Sequence, residues 1–412
     1  MKRRVVVTGL GVVAPNGVGK DEFAKAIFSG CSGVDSITRF DTSKYSVKIA
    51  AEVKNFDPVD YMPIAVMRKT DRFAQLGIAA TKLALEDAGI PEKPDILSKA
   101  GVIIGSGLGG QNFHEETIIA VLKNNEPRKA AASAVPRIMP NAVSGHIAIL
   151  YNIKGPNLVI STACSSGAQA IGASYEKIKN DSLDTVITGG VEAPITEVTI
   201  AAYQSMMVLT TRNGSPSQAS RPFDATRDGF VVGEGAAILV LEELEHAESR
   251  GAIIYAEVIG FGSNCGAYHM VSPNPKGEDA ALAMNAAMEM AGIQPEDVDY
   301  INAHGTSTKW NDLAETNAIK LAFGSSARKV PVSSIKSMIG HTFGAAGAIE
   351  AAASCLSLRD GTIPPTTNLL HPDPECDLDY VPNEARSQKL KVVMSNSFGF
   401  GSNNAVLIFR RM

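Results

Sequence analysis

The chain has 412 residues, 45% of them hydrophobic and 20% charged, enough apolar material to bury large cores in two or three units and too little charge for a disordered chain. Its formal net charge of −5 argues against a general nucleic-acid binder, which needs a basic excess, while leaving room for local basic patches. Five cysteines, Cys31, Cys164, Cys265, Cys355 and Cys376, form no CxxC pair and are odd in number, which argues against a disulfide framework or a structural zinc site.

The chain starts MKRRVVVTGLGVVAPNG. Positive charge before apolar residues imitates a signal peptide, but Thr8, Gly9 and Gly11 break the run and no small-residue cleavage site follows, so a buried first strand is expected. No apolar run reaches the roughly 20 residues that span a bilayer. A soluble, cytoplasmic protein with no membrane partner is expected.

From there, strand-like runs alternate with helical patterns. RVVVTG, AGVIIGSG, NLVIST, DTVITGG and AAILVLEEL read as strands in the first part, and YAEVIGFG, VDYINAHG, KVVMSNS and AVLIF in the second. Between them, DRFAQLGIAATKLALEDAGI, SSGAQAIGASYEKIKN, GEDAALAMNAAMEMAGI and GAAGAIEAAASCLSLRDG read as helices, and the class is α/β. ALEDAGIPE, Ala84 to Glu92, returns loosely as AMEMAGIQPE, Ala287 to Glu296, with Gly89 and Gly292 suited to helix C-caps. The placement of this echo in both parts favours a duplicated α/β unit. AESRGA near Glu248 to Ala252 marks the junction, which divides the chain into residues 1–250 and 251–412.

Three turns carry the chemistry. In ISTACSSGAQAIG, Cys164 sits between a strand and a helix, where backbone N–H groups and the positive helix end favour a thiolate and can hold an oxyanion, and Ser165, Ser166 and Gly167 leave room for a substrate. By position alone a structural cysteine is as good a reading. His304 in NAHGTSTKWND and His341 in KSMIGHTFGAAG both follow apparent strands in glycine- and hydroxyl-rich segments, and with Cys164 they read as one constellation. Lys336 and Glu350 are either surface charges or a cation and carboxylate that orient the imidazoles. SNSFGFGSNN, Ser395 to Asn404, brings backbone close to a ligand with Phe398 or Phe400 as a wall. GSGLGG lacks the full dinucleotide fingerprint.

Together VVVTGLGVVAPNG, STACSSGAQAIG, RPFDATRDGFVVGEGA, NAHGTSTKWND, KSMIGHTFGAAGAIEA and NSFGFG, in this order over nearly the whole chain, resemble the β-ketoacyl-[acyl-carrier-protein] synthases, most closely the type II condensing enzymes. The resemblance implies a thiolase-like fold, a duplicated α-β-α-β-α architecture with two mixed sheets, usually a homodimer. It implies that Cys164 takes an acyl group from an acyl carrier protein and that His304 and His341 stabilise the enolate of malonyl carrier protein. Lys336 and Glu350 match the family's charged pair, Cys164 and Phe400 its oxyanion hole, Phe400 its gate, and Thr306 and Thr308 its pantetheine contacts. Leu108 falls in the acyl pocket, and Arg68, Lys69, Arg128, Lys129 and Arg212 at the carrier-docking surface. No cofactor is required, although Asn302, Glu350, Ser395 and Asn404 match a monovalent cation site.

The chain departs from the family pattern in three places. It reads FGFGSNN for FGFGGTN, with Ser402 and Asn403 beside the active-site loop; Lys309 and Trp310 follow the pantetheine threonines; and Phe343 follows His341 closely. These leave open an alternative, a stand-alone ketosynthase of a polyketide, aryl polyene or other specialised lipid pathway. A silent chain-length partner and a thioester hydrolase fit less well, because all three reactive residues are present and two histidines suit condensation.

Overall fold

The structure, a computed structural model, describes residues 3–91 and 93–412, with Asn124 described by its backbone only. Met1 and Lys2, at the head of the first predicted strand, and Glu92, which ends the first copy of the echo, lie outside the described residues.

All nine predicted strands form. The first half contributes β1 (Val5–Ala14), β2 (Gly101–Gly105), β3 (Asn157–Ile160), β4 (Thr185–Glu192) and β5 (Gly235–Glu243). The second contributes β6 (Ala256–Cys265), β7 (Tyr300–Asn302), β8 (Val332–Ser333), β9 (Val392–Gly399) and β10 (Asn403–Arg410). The two-residue β8 was not foreseen, being too short to show a period. Strand order is β8-β7-β9-β10-β6-β1-β5-β4-β2-β3, with Gly17–Val18 added to β1. Each half repeats one pattern outward from the middle, two antiparallel pairings and then two parallel ones.

The two expected sheets are in fact hydrogen-bonded into one. β1 and β6 pair antiparallel at Val5–Val258, Val6–Glu257 and Val7–Ala256, so the halves join through three residue pairs. Both strands are buried there, and an unpaired edge at that depth would strand backbone donors and acceptors.

Helices α1 (Arg72–Asp87) and α5 (Glu278–Ala291) carry the two copies of the echo and pack on β1 and β6. The equivalence extends to atoms. A Cβ on Gly9 or Gly11 would lie 2.3 Å from Ala84 O or 1.9 Å from Ala80 O, and one on Gly260 or Gly262 would lie 2.4 Å from Ala287 O or 2.1 Å from Ala283 O. Both halves thus use two glycines to seat a helix on its strand. Gly89 and Gly292 adopt φ of 68° and 67° at the helix ends, as expected of C-caps.

Between the halves run α4 (Ser166–Lys179) and α7 (Ala346–Asp360), the latter buried from Ala346 to Leu358. A Cβ on Gly167 would meet Ala348 N at 2.9 Å and one on Gly347 would meet Ala168 N at 2.8 Å, a reciprocal contact that brings the two helix starts together. Each start follows a short 3-10 turn, Ala163–Ser165 and Phe343–Ala345, and the first residue of each turn is left-handed, with φ of 53° at Ala163 and 47° at Phe343. The duplication therefore sets the Cys164 turn beside its counterpart near His341.

Candidate active site

Cys164 is held by its neighbours' hydroxyls. Ser165 Oγ donates to Thr162 O at 2.8 Å, while Ser166 Oγ donates to Ala163 O at 2.6 Å and accepts from Thr162 N at 2.9 Å. The small residues expected to leave room for a substrate act differently here. Both serines are buried and pin a turn whose left-handed Ala163 costs roughly 1–3 kcal/mol, and Gly167 admits α7. Cys164 is 6% exposed. Burial pushes its thiol up to about 12, against the pull of the Lys336 charge and of the neighbouring Phe400 N–H. Desolvation, the largest cause, outweighs the Lys336 charge and favours the thiol over the thiolate.

His304 and His341 meet edge to face, ring centroids 5.4 Å apart. Phe343 N donates to His341 Nδ1 at 3.3 Å, which leaves the proton of the neutral ring on Nε2. Lys336 Nζ lies 3.3 Å from His304 Nδ1 and donates to the buried Glu350 carboxylate. With an ammonium beside Nδ1, His304 too carries its proton on Nε2. Burial first, and the Lys336 charge second, hold both imidazoles well below the usual histidine range. Burial raises Glu350 to about 7 against the attraction of Lys336.

Behind this front stand carboxylates that the sequence reading missed. Glu192, at the end of β4, accepts from Gly107 N at 2.7 Å, Leu108 N and Ser106 Oγ at 3.1 Å, and Gly344 N at 3.0 Å, tying the loop after β2 to the turn after His341. Glu315, on helix α6 (Lys309–Phe323), accepts from His304 N at 2.9 Å, Gly305 N at 2.8 Å and Asn396 Nδ2 at 3.1 Å. Burial raises Glu192 and takes Glu315 to about 7. Asp312 accepts from Thr306 N at 3.0 Å and faces Arg227 at 3.5 Å. The available signal was an acidic residue in an otherwise apolar strand end (TGGVEA), and two more at consecutive turns of the helix that follows His304.

One cavity of about 590 Å³ is lined by Cys164, His304, His341, Phe400, Thr306, Thr308, Trp310, Phe343, Ser402 and Asn404 among others. The two threonine hydroxyls lie 2.8 Å apart. Lys336 and Glu350 are buried behind His304 rather than in the wall. Leu108 is not in this wall: its amide is taken up by Glu192 and its side chain is 39% exposed, because the loop that Glu192 gathers turns it outward. Arg68, Lys69, Arg128, Lys129 and Arg212 are exposed and outside the wall, Arg128 pairing with Glu126 at 3.0 Å. Of the candidate cation ligands, Asn302 and Ser395 are register partners on β7 and β9, and Asn302 Oδ1, Ser395 Oγ and Glu350 Oε2 are buried without a hydrogen-bond partner, which suits a small monovalent cation. Asn404 departs from that set, its side-chain amide donating to Asn264 and Asp279.

Residues 2–247 match the family described as beta-ketoacyl synthase, N-terminal domain, and residues 255–370 its C-terminal domain. The chain is 49% identical to 3-oxoacyl-[acyl-carrier-protein] synthase 2 of Coxiella burnetii over 100% of its own length and 99% of that protein's. A beta-ketoacyl synthase from Burkholderia phymatum superposes with a TM-score of 0.93 at 37% identity, covering both chains in full. So does a type II polyketide ketosynthase solved in complex with its acyl-carrier protein, with a TM-score of 0.91 at 34% identity. A buried cysteine facing two neutral histidines, in a duplicated fold shared along the whole chain, makes this protein a member of the β-ketoacyl synthase family.

Proposed function

We propose that the chain elongates acyl chains in fatty acid biosynthesis by decarboxylative Claisen condensation, joining an acyl group on Cys164 to malonyl carrier protein. The observation that carries this reading is the shared cavity lined by Cys164, Phe400, His304 and His341, in which both imidazoles are neutral with the proton on Nε2. In the first half-reaction sulfur attacks the acyl thioester, the oxyanion is held by the Cys164 and Phe400 amides, and the thiol proton leaves with the carrier's pantetheine sulfur. In the second, the bond between C2 of the malonyl group and its carboxyl carbon breaks, carbon dioxide departs, and the enolate oxygen accepts from His304 and His341. The C2 carbanion then attacks the acyl carbon, the Cys164–acyl bond breaks, and the thiolate is reprotonated.

Neutral imidazoles suit this step, because an imidazolium would hand its proton to the carbanion. Lys336 contributes by excluding protonation, its charge disfavouring imidazolium at both rings. Thr306 and Thr308, backed by Asp312 and Arg227, supply hydroxyls for the pantetheine arm. The five basic residues serve an acidic carrier, and Asn302, Ser395 and Glu350 would hold a monovalent cation through their unpartnered oxygens, a structural charge partner for the carboxylate. No other cofactor is needed. The protein works in the cytoplasm; among the described residues no helix is long and apolar enough to cross a membrane.

A second copy completes the molecule. The edge strand β3 exposes Leu158 at 47% and helix α3 (Ala142–Tyr151), packed against it, exposes Ile149 at 78%, a surface that a homodimer covers along with Leu108. Fatty acid synthesis is preferred to a specialised pathway because identity to the Coxiella burnetii synthase is 49%, against 34% to the polyketide ketosynthase.

The test is intact-protein mass spectrometry after mixing with a series of acyl carrier proteins and then malonyl carrier protein. An acyl mass on Cys164, released as a 3-oxoacyl product two carbons longer, supports the scheme. An unmodified Cys164 across all saturated and unsaturated donors overturns it.

A further inference from the structure

The departure FGFGSNN sits in the turn between β9 and β10, and it is there that the chain makes contacts which glycine could not. Ser402 has φ of 58°, a left-handed conformation that a glycine would hold without strain. Its side chain compensates. Ser402 Oγ accepts from Tyr268 N and His269 N, both at 3.3 Å, and donates to His269 O at 3.1 Å. The partner segment is the irregular stretch that follows β6, whose His269 Nδ1 accepts from Val271 N at 3.1 Å and Ser272 N at 3.0 Å and so folds that stretch on itself.

Backbone bonds run alongside: Gly266 N donates to Ser402 O at 2.8 Å and Gly401 N to Met270 O at 2.7 Å. On the other flank Asn403 Nδ2 donates to Phe400 O at 3.1 Å. The turn and the segment both line the cavity of Cys164, through Phe400 and Ser402 on one side and His269, Val271 and Ser272 on the other. Phe400 follows Gly399, whose added Cβ would lie 3.1 Å from Cys164 N, so this turn abuts the nucleophile.

We infer that Ser402 is a positioning residue, a side-chain latch that binds the Phe400 turn to the Tyr268–His269 backbone so that two walls of the cavity move as one and jointly set access to Cys164. Without the hydroxyl the turn keeps its two backbone bonds, the Cys265 Sγ contact to Gly401 O at 3.6 Å and the Asn403–Cys265 strand pairing. Ser402 Oγ adds three bonds to the consecutive peptide groups of Tyr268 and His269, beyond the end of the paired strands, and so restricts the turn's freedom to swing apart from that segment. The reading of Cys164 as nucleophile underlies the importance of this latch, but not its existence.

The experiment compares the full-length protein with Ser402→Gly and Ser402→Ala, the first relieving the left-handed strain and the second keeping it, both lacking the hydroxyl. Two readouts are taken: amide exchange over residues 266–272 and 399–403, and the ratio of alkylation rates at Cys164 for a bulky maleimide and for iodoacetamide, followed by peptide mapping so that Cys31 and Cys265 do not interfere. The ratio cancels the thiol's own reactivity and reports access alone. Exchange in both segments is expected to rise together by about five- to tenfold, the worth of a hydrogen bond or slightly more, and the ratio to rise several-fold in both variants. An unchanged ratio, or exchange that rises in residues 399–403 alone, overturns the latch. Neither readout uses a carrier substrate, so a failed latch is distinguishable from a failed condensation scheme, which the absence of Cys164 acylation in the unaltered protein would reveal.

Discussion

Each imidazole at this site is fixed by what touches its Nδ1, a backbone N–H at His341 and an ammonium at His304. Replacing either histidine by alanine removes one donor to the enolate, and decarboxylation of malonyl carrier protein should fall about 10²- to 10³-fold, while Cys164 still accepts an acyl group. Lys336→Met tests the electrostatics separately. The Lys336 charge lowers both histidines, second only to burial, so its loss raises both and lets imidazolium form at higher pH. The acid limb of the decarboxylation profile should therefore move to higher pH, with the plateau at alkaline pH less affected. A limb that stays in place would mean that burial alone keeps the rings neutral. Cys164 and His304 were legible because each follows a strand-like run in a glycine- and hydroxyl-rich turn. His341 was legible from the same kind of turn, although the structure sets it after a short helix, Lys336–Ile339, and not directly after a strand as expected. Glu192 and Glu315 were not, because a carboxylate that accepts three or four hydrogen bonds looks in sequence like any acidic residue; only the donors identify it.

Among the elements, the site depends on how closely the end of β9 approaches the nucleophile turn. A Cβ on Gly399 would lie 2.7 Å from Thr162 O and 3.1 Å from Cys164 N. Gly399→Ala should push the Phe400 amide away from Cys164 at a stability cost of about 1–3 kcal/mol, and slow acylation by more than that loss explains. Thermal unfolding and single-turnover acylation measured on the same preparation separate the two. Nine strands and the helices α1, α4, α5 and α7 were readable in the sequence, and Gly89 and Gly292 from the echo, whereas α2 (Gln111–Asn124), α3 and α6 were not singled out. The glycine pairs that seat α1 and α5 were present in the sequence as Gly9, Gly11, Gly260 and Gly262, but their meaning needs the carbonyls of Ala80, Ala84, Ala283 and Ala287 above them.

For the molecule as an assembly, the exposed apolar residues of β3 and α3 predict a dimer. Ile149→Asp with Leu158→Asp should shift sedimentation to the monomer, and with Leu108 then left in solvent, acyl-chain preference should broaden. Arg128→Glu with Lys129→Glu should raise KM for carrier-bound substrates about tenfold at low salt, with little change in kcat and a smaller effect as salt is added. A drop in kcat with KM unchanged would place these residues outside the docking surface.

Much of the local structure was written in the chain's own pattern: nine strands and four helices in their runs, helix ends in glycine, and the three reactive residues in glycine- and hydroxyl-rich turns. The duplication was legible too, because one helix seating was used twice and left the same small residues in both copies. Whatever depends on residues far apart in the chain appeared only with the assembled fold. That includes the joining of two sheets through three residue pairs, the burial that keeps Cys164 a thiol and both histidines neutral, and the outward turn of Leu108. Desolvation, register across separate halves and hydrogen bonds between distant loops are properties of the assembled core, and no stretch of sequence encodes them alone.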